Sequence, residues 1–419
     1  MTALLVRRGA WMVAALFLLA YGTIFLAIYL WLAVHGIEHA FQLAWWQLRV
    51  PGLDQSFGDL RTVTHVVECL RHGIDPYVVN PCDPWWRLVN YPPVWLRAFD
   101  LLGVGPGLTP WLGAAIDIAF VATALVFVGR RPVWQGVIYG AALISPALMM
   151  GIERGNNDYL VFALVVVGLL LMLGDTAVRR AGATLALIAA VVLKLFPVFS
   201  IAMVLIRRRS LLLPALLIAV VGAVYFLAIR DTLDAIARNT HREVYYSYGA
   251  EVFFIGLQKY FGVAGAPAWK LPALLAATAA GLLLGALTRR SFALPDNRWG
   301  AGFAIAAAIY LFSFAIASSF DYRQAFLLLG LPQLMDWAAD PKGGTAQRLM
   351  THTCLATILL SLWLGFYTVK LRLIDEAFNW VTFVLLLAII LPQAARFLRY
   401  LRATLLLKTE RIGSPSTLT

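Results

Sequence analysis

The sequence predicts an all-α polytopic membrane protein with a large folded loop standing outside the bilayer after its first helix. Three observations carry this. Of 419 residues 61% are hydrophobic and 13% charged, a balance that a water-soluble globule of this length has no core large enough to hide. Apolar stretches that match the roughly 20 helical residues needed to cross the hydrocarbon layer recur from one end to the other. Basic pairs such as Arg130-Arg131, Arg179-Arg180 and Arg289-Arg290 punctuate their ends and fall on one side if helices alternate, as the positive-inside rule requires. The formal charge of +12 is therefore a matter of membrane orientation, and no nucleic acid is expected as a partner.

The elements follow in order. Ala10 to Val34 comes after Arg7-Arg8, and its apolar run exceeds the roughly 7 to 15 residues of a signal-peptide core, so it reads as a retained helix. Residues 36–107 form an outer cap loop far longer than the usual connection between bundle helices. Its aromatics, including Trp45, Trp46, Tyr77, Trp85, Trp86, Tyr91 and Trp95, predict a folded cap with short helices at the membrane interface. Leu108 to Val128 returns inward and Val133 to Met150 goes out to a polar turn, Glu153-Arg154-Gly155-Asn156-Asn157-Asp158. Tyr159 to Leu173 comes back.

Ala181 to Ile206 has basic residues at both ends and Lys194-Leu-Phe-Pro197 in its middle, and it is too short for two full spans. A re-entrant or half-helix hairpin reconciles length with charge, with Lys194 near its tip. Leu211 to Ile229 leads into a second outer segment, 230–268, which ends in an amphipathic piece from Val252 to Tyr260. Trp269 to Thr288 and Trp299 to Ala317 follow. A polar outer turn from Ser318 to Arg323 precedes Gln324 to Trp337, and Thr351 to Val369 and Phe378 to Phe397 complete the spans. The expectation is about ten full spans plus the hairpin, in a single integral-membrane domain over 1–419. Both termini are inside, and 403–419 is a cytoplasmic tail. The Arg- and Ala-rich composition suits a bacterial inner membrane.

Cys69 and Cys82 share the cap loop, whereas Cys354 lies in an apolar stretch. Either the first two form a disulfide, worth on the order of 3 kcal/mol in an oxidising compartment, or they are two unpaired thiols.

Every unusual polar cluster falls on the outer face, which predicts one shared outer cavity. Carboxylates beside fixed cations suit a reaction in which a base takes a proton while a phosphorylated group departs. Arginine grips phosphate through paired hydrogen bonds, making Arg61, Arg154, Arg242 and Arg323, with His241, the candidate phosphate ligands. Lys194 joins them, because an ionisable residue inside an apolar segment is costly; its alternative is snorkelling to the interface. Asp117, in the outer part of the second span, either faces the same cavity or pairs with an arginine.

Specific strings then point to a family. Asp59-Leu-Arg61, Gly73-Ile-Asp75-Pro76-Tyr77 and Asn90-Tyr91-Pro92-Pro93 resemble polyprenol-phosphate-dependent glycosyltransferases of the C-type superfamily, especially glycosyltransferase family 87. Gly155-Asn156 and Lys194-Leu-Phe-Pro197 look like two later landmarks of that family. The resemblance implies the C-type fold and an inverting transfer of a sugar, mannose being the leading expectation. The donor would be a polyprenyl phosphate and the acceptor a lipid or glycan, met at the outer face among membrane lipids. A first-loop aspartate would serve as general base, and Asp59 is the matching position. The Glu153-Arg154 lead into Gly155-Asn156 departs from the pattern, and Asp75 supplies a second carboxylate whose Asp-Pro-Tyr context reads as a turn. Tyr77, Asn90, Tyr91, Asn156, Asn157 and Asp158, with Asp75, are the expected sugar or acceptor pocket.

No metal-binding or nucleotide-binding motif occurs, and His65, His72 and His241 lack a metal-ligand spacing, so neither metal nor cofactor is expected. A transporter or flippase of a lipid-linked or anionic substrate is the competing class. Such carriers place their site near the bilayer midplane, whereas the polar clusters here gather at one face.

Overall fold

The computed structural model describes residues 9–240, 244–316, 318–366 and 369–413, and the side chains of all of these except 369–372 and 403–413. Among the described residues the regular structure is helical apart from one two-residue ladder, in which Ser247 pairs with Phe320 and Tyr248 with Ser319. In chain order the helices are α1 (Ala10–Val34), α2 (Ala40–Gln47), α3 (Gly58–Thr64), α4 (Val66–Arg71), α5 (Pro93–Leu101), α6 (Thr109–Val128), α7 (Val133–Leu143) and α8 (Pro146–Arg154). Next come α9 (Asn157–Met172), α10 (Ala177–Leu193), a 3-10 segment over Phe196–Ile206, α11 (Leu212–Ala228), α12 (Arg230–Asn239) and α13 (Val252–Phe261). After these are α14 (Lys270–Leu287), α15 (Arg298–Ile316), a further 3-10 segment over Asp321–Leu329, α16 (Leu331–Ala339), α17 (Thr345–Leu364) and α18 (Val369–Gly413).

Among the described residues six helical stretches are long and apolar enough to cross a membrane, and α7 with α8, bent by 55° at their junction, make up to a seventh when the pair is taken as one span. Three expected spans remain. Tyr159 to Leu173 is the 16-residue α9, Gln324 to Trp337 is a 3-10 segment followed by α16, and Thr351 to Val369 is the 20-residue α17, which starts six residues earlier and carries Gln347, Arg348 and His352 in its first turns. Burial explains the shortness of α9. Helix α1 faces outward along its length, with 6% of its apolar window buried, and it runs 25 residues. Helix α9 lies inside the bundle, with Phe162, Val165, Val166 and Leu169 fully buried. A segment sheathed by protein is free to be short or irregular, because its backbone groups and side chains never meet lipid. The last helix runs on to Gly413, into what the sequence assigns to the tail.

The N–H of Ala10 donates to the Arg131 carbonyl at 3.1 Å, and Arg131 bonds to Asp336 at the foot of α16. Arg208 pairs with Asp296 at 2.9 Å. These contacts lie at the end of the bundle where α1 begins, so the cap of α2 to α5 sits over the opposite end. Within the cap Val63, Val66, Val89, Tyr91, Trp95 and Leu96 form a small apolar core of their own. Cys69 and Cys82 are joined in a disulfide. Asn239, at the end of α12, ties the second outer segment to the first by donating to the Tyr77 and Val89 carbonyls, each at 2.9 Å.

Candidate active site

Asp59 is placed by the chain that precedes it. Phe57 adopts a left-handed conformation, φ 61°, and starts α3; its N–H donates to the Glu153 carbonyl at 2.9 Å. The Phe57 ring is seated against two glycines: a Cβ on Gly113 would lie 2.5 Å from it and one on Gly155 2.8 Å. Gly155 also has φ +55° as the C-terminal residue capping α8, a conformation glycine adopts without steric cost. Glu153, 2% exposed, accepts the Leu53 N–H at 2.7 Å. The departure seen in the sequence thus has a local purpose: Glu153 pins the strand of chain that delivers Asp59.

The Asp59 side chain is 11% exposed. Its Oδ2 accepts from Asn156 Nδ2 at 2.6 Å, and its Oδ1 lies 3.4 Å from Arg87 Nη1 and 3.6 Å from Arg154 Nη1. Arg87 went unnoticed in the sequence. It is clamped by Asp83 through Nε at 3.1 Å and Nη2 at 2.9 Å, donates to the Gly58 carbonyl at 2.5 Å, and lies over the Trp85 ring at 4.6 Å. Burial works to raise the Asp83 carboxyl; the Arg87 guanidinium, the Trp85 N–H and the Thr62 hydroxyl outweigh it and hold that carboxyl below its ordinary range. The i, i+4 spacing of Asp83 and Arg87 was the available signal.

The second half of the site gathers at the hairpin tip. Helix α10 stops at Leu193 because Pro197 has no N–H to offer its carbonyl; the Trp95 indole N–H supplies that bond at 3.0 Å. Lys194 follows in an extended conformation, and its Nζ reaches Asp158 Oδ1 at 2.8 Å while Arg323 Nε meets Oδ2 at 3.0 Å. Asp158 is fully buried between them. Asn156 joins the two halves: its Oδ1 caps α9 by accepting the Asp158 N–H at 2.8 Å, while its Nδ2 goes to Asp59. Asp59, Arg87, Arg154, Asn156, Asp158, Lys194 and Arg323 are therefore one connected network, drawn from the cap, two polar turns and the hairpin.

A cavity of about 350 Å³ opens beside this network. Tyr91, Lys194, Tyr322 and Arg323 give it a polar wall, while Phe196 and Phe312 give it an apolar one. Tyr91 is also the ring beneath the Lys194 ammonium, at 4.7 Å, and Phe196 the ring beneath the Arg323 guanidinium, also at 4.7 Å.

Other residues singled out from the sequence fall elsewhere. Arg61 turns to the Ser56 carbonyl at 2.8 Å, and nothing places it on the cavity wall. Asp75 is exposed and accepts the Tyr77 N–H at 2.9 Å, closing the turn its Asp-Pro-Tyr context foretold. Tyr77 donates to the Tyr91 carbonyl at 2.7 Å and so braces the wall from behind, whereas Asn90 lines the cavity directly. Asn157 is fully buried, with both amide atoms unpartnered among the described residues. Among the described residues Asp117 pairs with no arginine, and it lines a different cavity. His241 and Arg242 lie outside the described residues. Among the described residues no group of three or more His, Cys, Asp or Glu is arranged to hold a metal ion.

No protein-family model matches the chain, and no curated protein matches it. Among solved structures it is similar to ArnT from Cupriavidus metallidurans in the apo state, at 14% identity and a TM-score of 0.34, over 90% of this chain and 78% of that one. A likeness this slight leaves the functional reading to the chain's own residues.

Proposed function

We propose that this polytopic membrane protein is an inverting glycosyltransferase. It would move a sugar, with mannose the first donor to try, from a polyprenyl phosphate to the hydroxyl of a lipid or glycan acceptor at the capped face. The observation that carries the reading is the convergence of Asp59 with Lys194 and Arg323 through Asn156 and Asp158, beside a cavity with one apolar and one cationic wall. In the proposed reaction the acceptor oxygen attacks the anomeric carbon from the side away from the phosphate. The bond from that carbon to the phosphate oxygen breaks, its electron pair stays on the phosphate, and the acceptor proton passes to Asp59.

The charge that develops on the leaving phosphate needs donors already in place, and Lys194 and Arg323 are held by a carboxylate they share. Asp158 neutralises one of the two cations, and Glu251 on the same wall is paired with Lys270 at 3.1 Å, which leaves one positive charge facing the cavity. The sequence strings around Asp59 and Lys194 support the same reading through their resemblance to C-type glycosyltransferases.

The test is a transfer assay with polyprenyl-phosphate sugars on purified protein. Asp59→Asn keeps an acceptor for Asn156 but removes the base, and turnover should fall about 10²- to 10⁴-fold with donor KM little changed. Transfer near the wild-type rate in that variant refutes the assignment.

A further inference from the structure

A second cavity, of about 490 Å³, lies between α1, α2, α6 and α8, on elements that do not line the one beside Lys194. Leu18, Phe25, Val121 and Met149 make it apolar. Three polar groups interrupt that lining: the Trp45 indole N–H, the Tyr21 hydroxyl and Asp117 Oδ1. Each of these atoms is buried and, among the described residues, has no hydrogen-bond partner. Trp45 is 7% exposed, so its N–H has no route to bulk water. Asp117 lies eight residues along α6 from Thr109 at its capped end, about 12 Å at 1.5 Å per residue, within the depth of the hydrocarbon. The mouth opens sideways, where Ile118 is 68% exposed on a helix that faces lipid.

Unpaired donors and acceptors at this depth are costly, and a groove whose mouth faces sideways is filled from the lipid rather than from bulk water. A plain hydrocarbon tail would fill the space and leave all three unpaired. An isoprenoid chain does the same, having no hydrogen-bonding atom beyond its phosphate. Trp45 is only a donor and the Tyr21 hydroxyl can donate, so both suit a carbonyl oxygen; the Asp117 oxygen suits a hydroxyl or amide N–H. We propose that this groove binds an acyl lipid from the leaflet on the capped side. The lipid carbonyl would meet Trp45 and Tyr21, an adjacent hydroxyl or amide N–H would meet Asp117, and the acyl chain would lie along Leu18, Phe25 and Val121.

Binding is read without any sugar transfer, so it stands or falls apart from the glycosyltransferase reading. The purified full chain in detergent is labelled with a monoacylglycerol carrying a diazirine in its tail, which supplies a carbonyl, hydroxyls and one chain. Adducts are mapped by mass spectrometry. Label is expected on residues 18–25 and 117–125, displaced by unlabelled monoacylglycerol at a concentration about fivefold below that needed for a polyprenyl phosphate. Loss of one hydrogen bond predicts about a fivefold loss of labelling in each of Tyr21→Phe, Trp45→Phe and Asp117→Leu. Label elsewhere, equal displacement by polyprenyl phosphate, or wild-type labelling of the variants overturns the proposal. Tyr21→Phe removes a single oxygen, and decides the matter if the other two variants lower the unfolding temperature.

Discussion

Lys194 offers the sharpest separation of a binding role from an architectural one. Its side chain is 14% exposed, and its ammonium lies 2.8 Å from the buried Asp158 carboxylate and over the Tyr91 ring. In Lys194→Gln the amide keeps much of the reach toward Asp158, and Arg323 still pairs with that carboxylate at 3.0 Å, so the buried charge is not orphaned. The cost to the fold should be near that of one charge-assisted hydrogen bond, about 1.5 to 3 kcal/mol, rather than the larger penalty of a stranded carboxylate. A donor phosphate in the cavity would lose one contact of the same kind. At 1.4 kcal/mol per tenfold, its affinity should fall about 10- to 100-fold. The assay is equilibrium binding of a polyprenyl-phosphate sugar to detergent-purified protein, with thermal unfolding measured in the same buffer. If the variant unfolds earlier yet binds donor within twofold of wild type, Lys194 is a strut for Asp158 and the donor assignment fails.

Three further predictions address the scaffold. Cys69 and Cys82 close a 13-residue separation, so Cys69→Ser or reduction should cost the cap about 3 kcal/mol, seen as a lower unfolding temperature that reductant does not lower further in the variant. Arg87 and the other hydrogen-bond donors hold the Asp83 carboxyl below its unfolded value of about 3.9 despite burial. The stability of that clamp is fully present above this pH and is lost as pH falls through the lower folded value. Fluorescence from the adjacent Trp85 should therefore report acid unfolding of the cap below about pH 4, and Asp83→Asn should start less stable at neutral pH and lose this acid limb. Gly155→Ala must strain a left-handed residue and push Phe57 aside, so activity should fall at least tenfold, with a loss of about 1 to 3 kcal/mol in stability; wild-type turnover there would sever the link from Phe57 to Asp59.

The sequence by itself determined the class of protein, because hydropathy acts locally: a run of apolar residues seeks lipid whatever its neighbours are. It also determined the hairpin, since Lys194 three residues before Pro197 inside a short apolar stretch leaves the chain little choice but to turn there. Span lengths were another matter. Whether α9 must be long enough to meet two interfaces, or only long enough to fill the bundle, depends on which helices surround it, and no periodicity in its own residues records that. The same limit governed the site. Asp59 and Lys194 stood out singly, one by its string and one by its setting, while Arg87 looked like one more basic residue in a long loop. That Arg87 and Arg154 flank Asp59, and that Asn156 links it to Asp158, was decided by tertiary packing. Hydrogen bonds act over about 3 Å, and residues 97 positions apart in the chain reach that range only when the fold brings them there.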